Sequence, residues 1–188
     1  MNNITDELRS FWEKYDYIYQ KQKKLYNLSE EYDKDLCSFL QPMKEQKDSL
    51  DHIVRAYSSY YNLNSSSKSD DSIIKKNLDK AIGHIYRAYY DTADFLSIIL
   101  RERISANLSN FTYTEVISVW SDYESYRKKL IEFPDRMSNL RLDKGVDKGK
   151  EEISHKVTLY EEAITDLFNI YKIFMIEKLP ILCKKYKK

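Results

Sequence analysis

The sequence predicts an all-α fold, an elongated up-and-down bundle of four to five long helices that forms a single domain over residues 1–188. Glycine and proline number three each, too few for the many tight turns of a β-sandwich or an α/β fold. Apolar residues recur at steps of three and four along nearly the whole chain, which gives each segment one apolar side when it coils. Long helices joined by few loops satisfy both observations.

The first two helices are predicted on either side of a proline. The first covers residues 5–41, and the cap-like residues 27–31 favour either a bend there or one uninterrupted helix. Pro42 either occupies the first turn of a helix or forces a kink, and the second helix is predicted over residues 43–63. The small polar residues 64–70 lack any periodicity and are expected to form an exposed loop.

The central part of the chain contains the most regular pattern. Residues 71–107 keep one apolar stripe over many turns, which predicts a helix roughly 50 Å long. Thr112 and Glu115 have the spacing of a capping box, so a further helix is expected to begin there and to run through Ile131. Pro134 should end or kink it.

The last predicted helix covers residues 150–178 and is interrupted by Pro180. A short helical piece with Met137 and Leu140 precedes it, followed by an exposed glycine-containing turn at residues 143–149. Four large side chains are expected to be at least half buried: Trp12, Tyr89, Trp120 and Phe168.

Charge and cysteine content favour a cytoplasmic protein. The 31 Lys and Arg residues nearly balance the 30 Asp and Glu residues, so no global field attracts nucleic acid or a membrane. Cys37 and Cys183 are far apart and are expected to be reduced. Residues 1–13 do not resemble a signal peptide, and the apolar stretch 168–182 is broken by charges and a proline, so no membrane contact is predicted.

A repeated motif supplies the candidate binding residues. The pattern His-Ile-x-Arg-Ala-Tyr occurs at residues 52–57 and again at residues 84–89. His and Arg three positions apart share a helix face, and the two helices, joined by one loop, should run antiparallel with these faces close together. We therefore single out six candidate binding residues: His52, Arg55, His84, Arg87, Asp91 and Asp94.

Two interpretations of this site remain open. In the first, both arginines hold a phosphate group while a histidine acts as acid or base. In the second, favoured here, the motif is structural and each arginine pairs with a nearby acid, Asp91 for Arg87 and Asp48 or Asp51 for Arg55.

Catalytic motifs are missing from the sequence. It contains no P-loop, GxGxxG, HExxH or GxSxG pattern, and it lacks the Glu-x-x-His pairs of di-iron bundles. A metal site would have to use His84, Asp91 and Asp94. We predict no catalytic residue, no metal and no cofactor.

The chain resembles, in size and helical content, the HEPN class of small prokaryotic bundles, many of which are RNases of toxin–antitoxin and antiviral systems. Their Arg followed four to six residues later by His is not found here, because His52 and His84 precede their arginines. The resemblance therefore concerns architecture alone. Local basic patches, residues 21–24 and 184–188, are compatible with nucleic-acid contact, although a charge run is more often a solvated helix face.

The function predicted from these observations is that of a non-enzymatic helical interaction or adaptor protein. It would be a subunit or an oligomer in a prokaryotic cytoplasmic system, with a protein partner or self-association. One alternative is a component of a defence or toxin system that binds RNA or nucleotide phosphate. A second alternative is a metal-dependent bundle enzyme.

Overall fold

A computed structural model describes residues 2–33, 39–63, 71–142 and 150–186, without the side chains of residues 2, 3, 142 and 150–154. Within these ranges the chain is helical and contains no strand, so the all-α prediction is confirmed. Five of the described helices have 20 residues or more, as expected. The helices are α1 (Asn2–Glu30), α2 (Leu40–Tyr60), α3 (Asp71–Leu108), α4 (Tyr113–Ile117), α5 (Tyr123–Leu142), α6 (Lys150–Lys172) and α7 (Leu179–Tyr186).

The first predicted helix ends early, at the cap-like residues. α1 stops at Glu30, and the backbone N–H groups of Tyr32 and Asp33 both donate to the carbonyl of Ser29. α1 therefore ends within these residues, and one uninterrupted helix over residues 5–41 is not formed. Pro42 lies in the first turn of α2, where the N–H that proline lacks would have no helical partner.

The capping box at Thr112 is confirmed, but the helix it starts is short. Glu115 N–H donates to Thr112 Oγ1 at 3.3 Å, and Thr112 N–H donates to the Glu115 carboxylate at 2.7 Å. α4 ends at Ile117, so the prediction of a helix running on to Ile131 is wrong. The break places Trp120 in the core, where its ring stacks on that of Phe174 at 5.9 Å.

Neither later proline ends a helix. Pro134 lies inside α5 on its exposed side, where water can satisfy the carbonyl that loses its donor. Pro180 follows a π-helical turn, Ile173–Lys178, and the chain remains helical through α7. The wider turn changes the backbone pairing just before the proline, which explains why the predicted interruption does not occur.

The chain divides into two compact units, Met1–Phe95 and Leu96–Lys188, with the boundary inside α3. The first unit is built from α1, α2 and the first part of α3. Its core joins one residue of α1 and one of α2 to three of α3: Phe11, Ala56, Ile74, Leu78 and Ala81. A single domain over residues 1–188 stays a prediction.

Hydrogen bonds define the helix directions in the first unit. Trp12 pairs with Tyr57 and Gln22 with Gln46, so α1 and α2 run antiparallel. The Ser49 hydroxyl on α2 donates to the Ala81 carbonyl on α3 at 2.8 Å. His52, which follows Ser49 on α2, lies beside Asn77, which precedes Ala81 on α3, so these two helices are also antiparallel. The first unit is thus an up–down–up bundle.

The second unit contains the end of α3 together with α4 to α7. Arg136 on α5 pairs with Asp166 on α6 at 2.7 Å, and Ser118 after α4 contacts Tyr186 at the end of α7. These contacts indicate that α5 is antiparallel to the α6–α7 segment. Its fully buried side chains include Trp120, Tyr160, Phe174, Leu167, Met137 and Ile104.

The burial predictions are confirmed. Trp120 and Tyr89 are buried, Phe168 is largely buried, and Trp12 is 43% exposed, hence more than half buried. The predicted loops 64–70 and 143–149, and Cys37, lie outside the described residues. No described helix combines the length and the apolar character needed to cross a membrane.

Candidate functional site

The antiparallel arrangement of α2 and α3 brings the histidines of the two repeats together. The rings of His52 and His84 stack with centroids 5.3 Å apart. His52 Nδ1 also lies 2.9 Å from Asn77 Oδ1 on α3. The two copies of the motif therefore meet through their histidines at one place on the α2–α3 interface.

The centre of this site is Glu45, which the sequence analysis did not single out. Its Oε2 accepts from Arg87 Nε at 2.9 Å and lies 2.8 Å from His84 Nδ1, while Gln41 Nε2 donates to its Oε1 at 3.0 Å. The Glu45 side chain is only 10% exposed. We call Glu45, His52, His84 and Arg87 the Glu45 cluster. A buried carboxylate with these donors links α2 to α3.

Two opposing effects act on the pKa of Glu45. Burial, the largest single cause, raises it, because a carboxylate loses hydration in the interior. The hydrogen bonds from Arg87 and His84 and the positive charges of both groups outweigh burial, so the pKa lies below the ordinary 4.5. Glu45 is therefore charged at neutral pH and holds Arg87 as an ion pair.

His84 Nδ1 occupies a position between an acceptor and a donor. It lies 2.8 Å from Glu45 Oε2 and 2.8 Å from Arg87 Nη2. An unprotonated Nδ1 accepts from Arg87, whereas a protonated Nδ1 donates to Glu45, and one nitrogen cannot do both. The protonation of this nitrogen thus selects between two hydrogen bonds within the cluster.

The other predicted site residues lie elsewhere. Arg55 pairs with Asp51 at 2.7 Å, and both side chains are more than half exposed. Asp91 and Asp94 follow Arg87 along α3, are half-buried and have contacts of their own. The structure therefore groups His52, His84 and Arg87, but it leaves Arg55 outside the cluster.

In the part of the chain that the structure describes, no three His, Cys, Asp or Glu residues come close enough together to hold a metal ion.

A second feature is an apolar stripe on the side of α2 that faces away from α3. Met43, Leu50, Val54 and Tyr61 follow one another at steps of seven, four and seven, which places them on one line along the helix. Each of the four is between 53% and 62% exposed. Core residues of α2 are not part of this line, so the stripe is additional to the apolar side that α2 already buries.

Two aromatic residues of α1 extend the stripe. Trp12 Nε1 donates to the Tyr57 hydroxyl at 2.7 Å, and Tyr19 lies two turns farther along α1, 39% exposed. The α-helical period puts both on the side of the α1–α2 pair that is opposite α3. We call this surface the outer face: Trp12, Tyr19, Met43, Leu50, Val54 and Tyr61.

Lysines flank one end of the outer face. Gln46 Nε2 donates to Gln22 Oε1 at 2.7 Å, which fixes the level of the two helices at this end. Lys23 directly follows Gln22, and Lys47 directly follows Gln46. One residue farther along a helix, the side-chain direction rotates by about 100°. Because α1 and α2 are antiparallel, this rotation directs both lysines toward the outer face. Both lysines are exposed.

The chain matches no protein-family model, no curated protein and no solved structure.

Proposed function

We propose that this chain is a non-enzymatic interaction protein, a subunit that holds a helix of a partner protein on its outer face in a prokaryotic cytoplasm. The observation that carries the proposal is the exposed stripe of Met43, Leu50, Val54 and Tyr61. Scattered apolar residues are normal on protein surfaces, whereas a contiguous apolar surface is typical of an interaction site.

The shape of the outer face favours a helix as the ligand. The stripe spans residues 43–61, about 27 Å or five turns of helix. Two antiparallel helices leave a shallow groove between them, and the apolar side of an amphipathic helix fits such a groove. Trp12 and Tyr19 supply the large aromatic contacts that interfaces favour.

The Glu45 cluster supports the same function from the opposite side of α2. Its bonds to Arg87 and His84 fix α2 against α3, so the outer face is carried by a rigid pair of helices rather than by a loop. Because Glu45 already binds Arg87, this guanidinium serves to join two helices. The cluster is thus a positioning element for the surface that docks the partner.

Site-specific cross-linking in the native cells tests the proposal. The photo-reactive residue p-benzoylphenylalanine is placed at position 54, and at position 131 as a matched control, since Ile131 is an equally exposed apolar residue of α5. We expect position 54, but not position 131, to cross-link to one partner protein. Mass spectrometry should assign the adduct to an amphipathic helix of that partner.

Three results would overturn the proposal. The first is that position 54 gives no more adduct than position 131. The second is that its adducts contain only a second copy of this chain. The third is that Val54→Asp leaves partner binding intact in the folded protein.

A further inference from the structure

The two stacked histidines of the Glu45 cluster are held by partners of different charge. Asn77 Nδ2 donates to the Ile73 carbonyl at 2.9 Å, so Asn77 Oδ1 is the atom that faces His52 Nδ1, 2.9 Å away. Since this oxygen only accepts, His52 Nδ1 carries a hydrogen, and a further proton on this ring has to bind at Nε2. His84 Nδ1 lies against the Glu45 carboxylate instead. A proton on His84 therefore has a counter-charge at 2.8 Å, whereas the contact of His52 is with an uncharged amide.

On α2, two carboxylates face the histidine pair. Glu45 is one of them, and the other is the half-buried Asp48, which lies between Glu45 and His52 on the same side of the helix. Asp51 follows on α2, but its charge is balanced by Arg55 at 2.7 Å. The contribution of α2 to the surroundings of the pair is therefore two negative charges.

On α3, two cations and one carboxylate lie along the same side as the histidine. Lys80 is one turn before it and exposed, Arg87 is one turn after it, and Asp91 follows Arg87 by a further turn. α1 meets this stretch of α2 through the Tyr15 hydroxyl, 3.1 Å from Ser49 Oγ. Burial raises the pKa of Tyr15, so this hydroxyl is uncharged at neutral and acidic pH.

These surroundings balance one proton on the histidine pair but not two. The three carboxylates and two cations that face the pair leave one net negative charge. A first proton, on His84 beside Glu45, neutralises this charge. A second proton, on His52, adds an uncompensated positive charge to a ring whose centroid is only 5.3 Å from that of His84. Both rings are half-buried, so water screens this repulsion less than it would at the surface.

We propose that the stacked pair of His52 and His84 is an acid-sensitive latch between α2 and α3. With one proton the pair keeps the two helices in contact, and a second proton separates them at this level. Separation breaks the hydrogen bond from the Ser49 hydroxyl to the Ala81 carbonyl together with the contact between His52 and Asn77. Histidine is the side chain whose ordinary titration falls between about pH 5 and pH 8, so the latch responds to mild acidification.

Hydrogen–deuterium exchange of the full chain between about pH 7 and about pH 5 tests the latch. Glu45 stays charged over this range, because its pKa lies below 4.5. After correction for the intrinsic pH dependence of exchange, we expect the backbone amides of residues 46–56 to exchange about fivefold faster at the acidic end. The amides of α5, a helix without histidine, should keep a constant corrected rate and serve as the internal reference.

Three variants assign the response to the histidine pair. His52→Gln keeps an N–H donor for Asn77 but cannot bind the second proton, so it should abolish the acceleration. Asp48→Asn removes one of the balancing negative charges and should move the acceleration to higher pH. His155→Gln changes the exposed histidine of α6 and should respond to acid as the original protein does. Circular dichroism checks that each variant is folded.

Each possible result decides for or against the latch. A corrected exchange rate in α2 that does not change with pH would overturn it, as would an acceleration that persists in His52→Gln. If His52→Gln does not fold, the Asp48→Asn variant decides, and an acceleration at unchanged or lower pH rejects the proposal. The experiment involves no partner protein, so its outcome leaves the proposed function to the cross-linking test.

Discussion

Glu45 on α2 and Arg87 on α3 form a 2.9 Å ion pair in which the carboxylate is almost fully enclosed and the guanidinium is partly exposed. The same carboxylate oxygen lies 2.8 Å from His84 Nδ1. One acidic side chain thus joins two antiparallel helices through two basic partners. Because Glu45 is buried, this ion pair should contribute more to stability than an ion pair on the surface.

Replacing the buried acid should destabilise the first unit. Glu45→Gln leaves Arg87 without its counter-charge and is expected to lower the free energy of unfolding by about 2 kcal/mol. Asp51→Asn breaks the exposed pair with Arg55 and should cost less than about 0.5 kcal/mol. Urea denaturation measures both values, and equal losses would contradict the role given to Glu45.

The contribution of Glu45 should depend on pH in one direction. Its pKa is lowered in the folded state, so its stabilising effect is present above the ordinary value of 4.5 and is lost as the pH falls through the lower, folded value. The stability difference between the original protein and Glu45→Gln should therefore shrink as the pH falls below 4.5. Urea midpoints measured from neutral to acidic pH provide the test, and a difference that grows on acidification would reverse the assigned sign.

The two arginines of the repeated motif should respond differently to the same change. Arg87→Lys loses the geometry by which Nε meets Glu45 while Nη2 meets His84, and we expect a loss of about 1 kcal/mol. Arg55→Lys keeps an exposed pair with Asp51 and should be neutral within about 0.5 kcal/mol. Thermal and urea unfolding of both variants make the comparison, which fails if Arg55 proves the more sensitive.

The outer face should tolerate a charge that the neighbouring core does not. Val54→Asp is expected to change the free energy of unfolding by less than about 0.5 kcal/mol while abolishing partner binding. Ala56→Asp, only two residues away, places an unpaired carboxylate in the core and should cost more than about 3 kcal/mol. If both variants unfold equally easily, the stripe is a part of the core rather than a docking surface.

The helices could be predicted because their signal is local. Apolar spacing over residues 71–107 anticipates α3 to within a residue, and the Thr112–Glu115 box marks the start of α4 correctly. The end of α4 and the π-helical turn could not be predicted in this way. They depend on where Trp120 finds its packing partner Phe174, which is a property of the folded chain.

The candidate site was predictable only in part, because its contacts join residues that are far apart in the sequence. The motif at residues 52–57 and 84–89 pointed to the histidines that stack, but it treated Arg55 and Arg87 as equivalent. Glu45 lies seven residues before His52, on the same side of α2, and nothing local distinguishes it from the many other acids. Its partners are known only once α2 and α3 are placed side by side.

The outer face illustrates a different limit. Leu50, Val54 and Tyr61 have helical spacing, and in the sequence they are indistinguishable from residues that face the core. The core positions of α2 are instead occupied by small side chains such as Ser49 and Ala56. The spacing of apolar residues shows that α2 has an apolar side. Only the exposure of each side chain in the folded chain shows that a second apolar side faces solvent.

The π-helical turn at Ile173–Lys178 sets the rotational phase of everything that follows it. In that phase Leu182 points inward and Ile181 outward, and Lys185 Nζ reaches the Ser118 hydroxyl at 3.0 Å. Deleting one residue from the turn would rotate α7 by about 100° and move Leu182 to the outward position that Ile181 now holds. The π-helical turn therefore determines which side of α7 faces the core. The apolar and polar residues of α7 are placed for the orientation that this turn produces.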